Sequence, residues 1–286
     1  MTKINLISDY NVNNQMEVFK KMKYSIIAND YPESLELVKT LNNELKNDND
    51  LTLDDKNPEL VFVIGGDGTF LKAINKYNNQ LEKIRFYPIK KGGIGFYTNH
   101  NIVEDDNDVK KILAIDKCKH TYEYPLLEVK IDDKTIYTIN EAKILNDISP
   151  QQLDIYINDE KLESFKGSGL VFSTPSGTTG FMKSVGGAII YPNLDLFEMQ
   201  EISPVSTVIF KTINSPIIFS KEQVIKIKNS ENLKDKDNLK VISDAKQIAT
   251  DFKEAKISLS NKKVRIIATK MVDRTTLLKD IFVINK

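Results

Sequence analysis

The residues Gly65-Gly66-Asp67-Gly68-Thr69-Phe70-Leu71 combine a carboxylate with three glycines in a pattern that could bind and activate a phosphorylated ligand. They follow an apolar run, Leu60-Val61-Phe62-Val63-Ile64, and precede a helical pattern, Lys72-Ala73-Ile74-Asn75-Lys76-Tyr77. A buried strand thus runs into glycines and leaves as a helix, the place where open α/β sheets bind ligands. Glycine lets the backbone approach a phosphate, and a helix N-terminus offers unpaired N–H groups to an anion. A carboxylate inside such a loop would repel phosphate, so Asp67 makes most chemical sense against a hydroxyl proton or a magnesium ion beside it. The same residues also fit a tight turn in which Asp67 caps the next helix, and short glycine motifs recur by chance.

Two further clusters carry hydrogen-bonding chemistry. Asn140-Glu141 ends an apolar run, Ile136-Tyr137-Thr138-Ile139. An Asn amide pairs in two ways with the N6/N7 edge of adenine, and a carboxylate accepts from vicinal ribose hydroxyls. As a bare dipeptide it is equally an ordinary strand-end turn. From Gly167 to Phe181, seven of fifteen residues are Ser, Thr or Pro and four are Gly. Read as a loop after a strand, this stretch offers many hydrogen-bonding groups with little bulk, which suits a nucleotide, and long connections in compact domains are commonly functional.

These clusters need elements to position them. Residues 33–48 carry apolar positions at helical spacing, and residues 3–8, 60–64 and 84–89 read as strands. The strand at 84–89 runs into Lys91-Gly92-Gly93-Ile94-Gly95-Phe96-Tyr97, a second glycine turn expected on the same sheet edge as the first. Residues 104–116 read as a helix, and the alternation predicts a parallel-sheet α/β domain. Beyond residue 120 helical spacing becomes scarce. Strands are expected from Tyr122, over 153–157 and 162–165 as a hairpin, and at 224–228 and 264–268, with a charged loop over 229–239. The tail from Asp273 to Phe282 returns to a helical pattern that could pack on the first domain.

Composition excludes several functions. Forty basic and forty acidic residues cancel, which disfavours nucleic acid as the main partner. No apolar stretch approaches the ~20 residues of a membrane helix, and the N-terminus turns polar too early for a signal peptide. A cytoplasmic location is therefore expected. A single cysteine, Cys118, leaves no intrachain disulfide or cysteine-based zinc cluster. The two histidines, His100 and His120, sit in polar stretches without metal-ligand spacing and are expected at the surface.

Gly65-Gly66-Asp67-Gly68-Thr69, Asn140-Glu141 and Thr174-Pro175-Ser176-Gly177-Thr178-Thr179-Gly180 follow the order and approximate spacing of the NAD kinases. Gly95-Phe96-Tyr97, Tyr124-Pro125-Leu126-Leu127 and Gly186-Gly187-Ala188 match as well, so the chain resembles that family from about residue 60 to 280. The resemblance implies an α/β domain over 1–118, a β-rich NAD-binding domain over 119–268, and a C-terminal segment over 269–286 returning to the first. It also implies transfer of the ATP γ-phosphate to the 2′-hydroxyl of the adenosine ribose of NAD, with Mg²⁺ or another divalent cation accompanying ATP, and assembly into homodimers or homotetramers. Asp67 matches the catalytic aspartate. Gly66, Gly68, Thr69 and Phe70 belong with the phosphate loop. Asn140 and Glu141 match the adenine- and ribose-binding pair. Phe96, Tyr124, Lys166, Ser176, Thr179, Gly180, Phe181, Ser184 and Ala245 match nucleotide-binding positions, and Ser168 stands at the one that faces the nicotinamide side.

Four positions depart from that pattern. Ser168 stands where the family usually carries Asp, Ala245 where it carries His or Gly, Phe181 for Tyr, and Gly180 for Ala. Two alternatives therefore accompany the kinase reading: a diacylglycerol-type lipid kinase, which shares the first motif, and a catalytically weakened NAD or NADP sensor.

Overall fold

Every residue from Leu60 to Gly65 is buried, as a strand covered on both faces requires. The computed structural model describes residues 21–91, 95–101, 120–229, 238–250, 252–268 and 272–284. In it, strands β1 (Met22–Ala28), β2 (Leu51–Leu53), β3 (Leu60–Gly65) and β4 (Arg85–Lys90) form a parallel sheet in the order β4-β3-β1-β2. Alternation along β3 assigns its two faces. Leu60, Phe62 and Ile64 meet Leu37, Leu41 and Leu45, the buried stripe of helix α1 (Pro32–Lys46). Val61 and Val63 point the other way, to Phe70, Ala73 and Ile74 of helix α2 (Asp67–Lys76). The expected strand at 3–8 and helix at 104–116, like Cys118 and residues 230–237 of the charged loop, lie outside the described residues.

The β-rich part comprises β5 (His120–Ile131), β6 (Lys134–Thr138), β7 (Glu141–Leu145), β8 (Gln151–Ile157), β9 (Glu160–Ser173), β10 (Leu196–Pro204), β11 (Ile217–Ser220), β12 (Ile225–Asn229), β13 (Lys240–Ser243), β14 (Lys246–Ala249) and β15 (Glu254–Ala268). Helices α3 (Phe181–Ser184) and α4 (Arg274–Phe282) complete the described α-helices. The predicted hairpin is β8–β9, turning at Asn158 and Asp159, both at positive φ, as a tight two-residue turn demands. The predicted tail helix is α4, capped by Asp273, whose carboxylate accepts from the N–H groups of Thr275 and Thr276. No helix among the described residues is long and apolar enough to cross a membrane.

One expectation needs correction. Gly167–Ser173 is not loop but the buried end of β9, paired with β10 on Gly167–Ser173 and with β7 on Gly169–Ser173. Its small residues imitate loop composition, while Leu170, Val171 and Phe172 are fully buried between neighbours. Only the turn from Thr174 to Gly180 projects beyond the sheet.

Strand β15 joins the two halves. Ile257 pairs antiparallel with Ile225 of β12, while Arg265 and Ile266 pair in parallel with Arg85 and Phe86 of β4. The opposite edge of β15 follows β5 over nearly its whole length. The chain thus re-enters the α/β sheet at Arg265. Ile266 sits fully buried at this seam, beside Phe86 and Tyr122. Ile266→Ala is expected to destabilise the protein by about 2–5 kcal/mol, read from urea unfolding; an unchanged midpoint would show that the seam contributes little.

Candidate active site

Strands β3 and β4 run in register, Gly65 opposite Lys90, and Lys91 N–H donates to the Gly65 carbonyl at 3.3 Å. Gly66 after β3 and Lys91 after β4 therefore leave side by side at the carboxyl edge of the sheet; Gly92, Gly93 and Ile94 of the expected second glycine turn lie outside the described residues. Asp67 is the first residue of α2, after an extended Gly66 at the N-cap. Its side chain does not cap the helix. It reaches instead to the turn after β4: Oδ2 accepts from Phe96 N–H at 2.7 Å, and Oδ1 from the N–H groups of Tyr97 and Thr98 and from the Thr98 hydroxyl at 3.1–3.3 Å. Burial raises the carboxyl above its ordinary range, and these four donors partly offset that rise. Oδ1 is saturated, whereas Oδ2 holds one donor and keeps capacity for a second.

Tyr97 carries this nest to the second cluster. Its ring is buried, stacked on Phe70 at 4.9 Å and edge-on to Tyr124 at 5.2 Å. Its N–H serves Asp67, while its hydroxyl donates to Asn140 Oδ1 at 2.5 Å. Burial holds the phenol well above its ordinary pKa, so it stays a donor. With Oδ1 engaged, the Asn140 amide hydrogens remain for a ligand.

The backbone around Asn140 is fixed from two sides. Asp244, in the β13–β14 turn, accepts from Ile139, Asn140 and Glu141 N–H at 2.8, 2.8 and 3.3 Å. Thr174 and Ser176 hydroxyls donate to the Ile139 carbonyl, and Thr174 N–H donates to the Asn140 carbonyl. A Cβ on Gly177 would collide with that same Asn140 carbonyl oxygen, so the turn needs glycine there. Glu141, 8% exposed, pairs with Lys143 at 3.3 Å, and the Lys143 ammonium lies 4.4 Å from the Phe181 ring centroid. Burial raises the Glu141 carboxyl, and Lys143 counteracts it.

The remaining expected residues divide. Gly66 and Gly68 border Asp67, and Thr69 and Phe70 are buried, with the Phe70 ring in the core against Phe86. Phe96 stacks under Arg274, and Tyr124 is buried beside Tyr97. Ser176, Thr179 and Gly180 lie in the turn over Asn140 and Glu141, and the Ser184 hydroxyl bonds back to the Phe181 carbonyl. Lys166 and Ser168 are not part of this cluster. They lie back along β9, Ser168 five residues before Ser173, or ~16 Å at strand rise. Ala245 adopts φ 65° next to Asp244 in its turn. Sequence reasoning did not assign site roles to Gly95, Tyr97, Thr98, Lys143, Asp244 or Arg274. The glycine turn flagged the first two; the others gain meaning only through contacts distant in sequence. Among the described residues no group of three or more His, Cys, Asp or Glu could hold a metal ion.

Two predictions follow from this geometry. A Cβ on Gly95 would stand 2.5 Å from Asp67 Oδ1, so Gly95→Ala should displace the carboxylate and reduce turnover by about 100-fold or more, with little change in melting temperature. Asp244→Asn turns an amide donor toward backbone N–H groups and should cost about 1–3 kcal/mol. Burial pushes the Asp244 carboxyl up to about 7, so the folded state binds that proton more tightly than the unfolded chain. The associated stability is present below pH ~4 and is lost as pH rises through about 7. Urea titrations should therefore show a larger loss for Asp244→Asn at pH 5 than at pH 8.5.

Residues 131–269 match the family model of the ATP-NAD kinase C-terminal domain. The chain is 39% identical over 212 residues to a NAD kinase of Lactobacillus johnsonii, covering 72% of this chain and 77% of that relative. Among solved structures, yeast NADH kinase complexed with NADH superposes with a TM-score of 0.74 at 18% identity, covering 93% of this chain and 89% of the other. A NAD kinase from Archaeoglobus fulgidus in complex with ATP gives 0.69, also at 18% identity, over 91% and 97% of the two chains. At that identity the two structures establish a shared fold.

Proposed function

The chain belongs to the NAD kinase family, and from that premise we propose that it makes NADP by in-line phosphoryl transfer, with Asp67 as the group that receives the 2′-hydroxyl proton. The observation that carries this reading is the Asp67 carboxylate, locked by backbone donors with Oδ2 still able to accept, and tied through Tyr97 to Asn140. Asn140 would hold adenine by its amide and Glu141 the ribose hydroxyls, which turns the 2′-oxygen toward Oδ2. The N–H groups of Gly66, Asp67 and Gly68, at the N-cap and first turn of α2, would receive donor phosphate, since they lack acceptors within the helix; Thr69 N–H already donates to the Gly66 carbonyl.

In the transfer the ribose 2′-oxygen bonds to the γ-phosphorus, and the bond to the β,γ-bridging oxygen breaks. The electron pair leaves with ADP, and the hydroxyl proton passes to Asp67. An ordinary Asp is a weak base toward an alcohol, but burial makes Asp67 a stronger one. The transition state is loose, so positioning supplies most of the acceleration. Mg²⁺ or another divalent cation is proposed to arrive chelated by the triphosphate, where it neutralises developing charge.

Asp67, Asn140, Glu141 and the turn from Thr174 to Gly180 offer hydrogen-bonding groups, which favours a nucleotide over acyl chains and sets the lipid-kinase reading aside. The departure at Ser168 lies back along β9, and the donors that hold Asp67 are all in place, which supports an active enzyme over a sensor. The division at residues 118 and 268, the homodimeric or homotetrameric assembly and the cytoplasmic location remain part of this proposal.

With ATP and Mg²⁺, the wild-type chain is expected to convert NAD to NADP in a coupled dehydrogenase assay. Asp67→Asn should keep NAD affinity within a few-fold by calorimetry and lose at least about 1,000-fold in kcat. Near-wild-type turnover in that variant would remove Asp67 from the chemistry.

A further inference from the structure

Arg274, the first residue of α4, has a buried guanidinium whose Nε and one Nη have no hydrogen-bond partner among the described residues. The neighbouring carboxylate of Asp273 is committed to capping α4 through Thr275 and Thr276. A buried cation with unmet donors is costly, and proteins tolerate one chiefly where a ligand completes it. The position of this one is specific. The guanidinium carbon lies 4.2 Å from the centroid of the Phe96 ring, and Phe96 N–H is the donor to Asp67 Oδ2. Asp67, Tyr97 and Tyr124 are among its electrostatic neighbours. Together with Phe96, Tyr122, Tyr124 and Leu277, Arg274 lines a cavity of about 230 Å³. Glu123, which also lines it, is exposed and makes no ion pair with Arg274. That volume falls below the ~300–1,000 Å³ of a whole-ligand pocket, so the cavity suits one part of a larger ligand.

We propose that Arg274 is a substrate-binding residue that takes a phosphate group beside Asp67, using the Nε and Nη hydrogens as a two-pronged donor. A planar guanidinium matches two phosphate oxygens at once, and a ring stacked beneath it fixes its plane. The phosphate belongs either to the donor triphosphate or to the pyrophosphate of NAD. The inference deepens the kinase reading and rests on it for the identity of the two substrates.

The test compares the wild-type chain with Arg274→Met, which keeps an apolar stem, and with Arg274→Lys, which keeps the charge but not the fork. Initial rates are measured with ATP varied at saturating NAD, then with NAD varied at saturating ATP. Direct titration with inorganic triphosphate and with NAD accompanies them. Arg274→Met should weaken one substrate by about 10- to 100-fold in kcat/KM and in direct binding, with Arg274→Lys between it and wild type. A loss on the ATP and triphosphate arms assigns the donor; a loss confined to NAD assigns the pyrophosphate. The melting temperature should hold or rise, because an unpaired buried charge is removed. If Arg274→Met fails to fold, Arg274→Lys carries the same comparison. Parameters for both substrates within two-fold of wild type in a folded variant would overturn the proposal. Should the wild-type chain form no NADP, the kinase reading fails separately, and loss of triphosphate or NAD binding in Arg274→Met still decides the role of Arg274.

Discussion

Tyr97 is held at both ends, and the site depends on that. Its N–H group helps to fix the carboxylate of Asp67, and its hydroxyl fixes the amide of Asn140. The carboxylate comes from the parallel sheet and the amide from the β-rich part, so one buried ring sets the distance between the two halves of the site. Phe70 and Tyr124 clamp that ring from the two sides. The core packing of α2 and β5 is thereby converted into the placement of two polar groups. A shift in either element would be felt at both.

Polar groups that would otherwise be costly are paired around this ring. Asp244 satisfies three successive backbone N–H groups, Ile139 to Glu141, where β6 gives way to β7. Asn75 of α2 in turn donates to the Asp244 carbonyl, so the turn that carries Asn140 is tied to the helix that carries Asp67. Burial raises the carboxyls of Asp67, Glu141 and Asp244 alike. Glu141 and Asp244 are buried and Asp67 is partly so, and Glu141 has Lys143 beside it. A low-dielectric pocket of this kind strengthens each hydrogen bond made to a ligand.

Much of this was legible in the sequence because the signals were local. The apolar run before Gly65, the helical spacing after Thr69 and the turn residues between 157 and 160 each specify their element within a few positions. The Gly167–Ser173 segment was misread as loop because Ser and Gly in a strand squeezed between two neighbours look like loop composition. The role of Asp67 was half legible. Its type and spacing pointed to a hydroxyl or a cation, but the nest that holds it is formed by a turn 29–31 residues away. Asp244 acts on a turn more than a hundred residues earlier, and Arg274 acts through a ring far back in the chain, so neither left any periodic or local trace.

The central claim is that the Asp67 carboxylate faces the ribose hydroxyl that becomes phosphorylated. A crystal structure of the wild-type chain with NAD tests it directly. The account predicts the 2′-oxygen of the adenosine ribose within ~2.6–3.2 Å of Asp67 Oδ2, with adenine on the Asn140 amide. A ribose that presents its 3′-hydroxyl to Asp67, or that binds beyond hydrogen-bonding reach of this carboxylate, would contradict it.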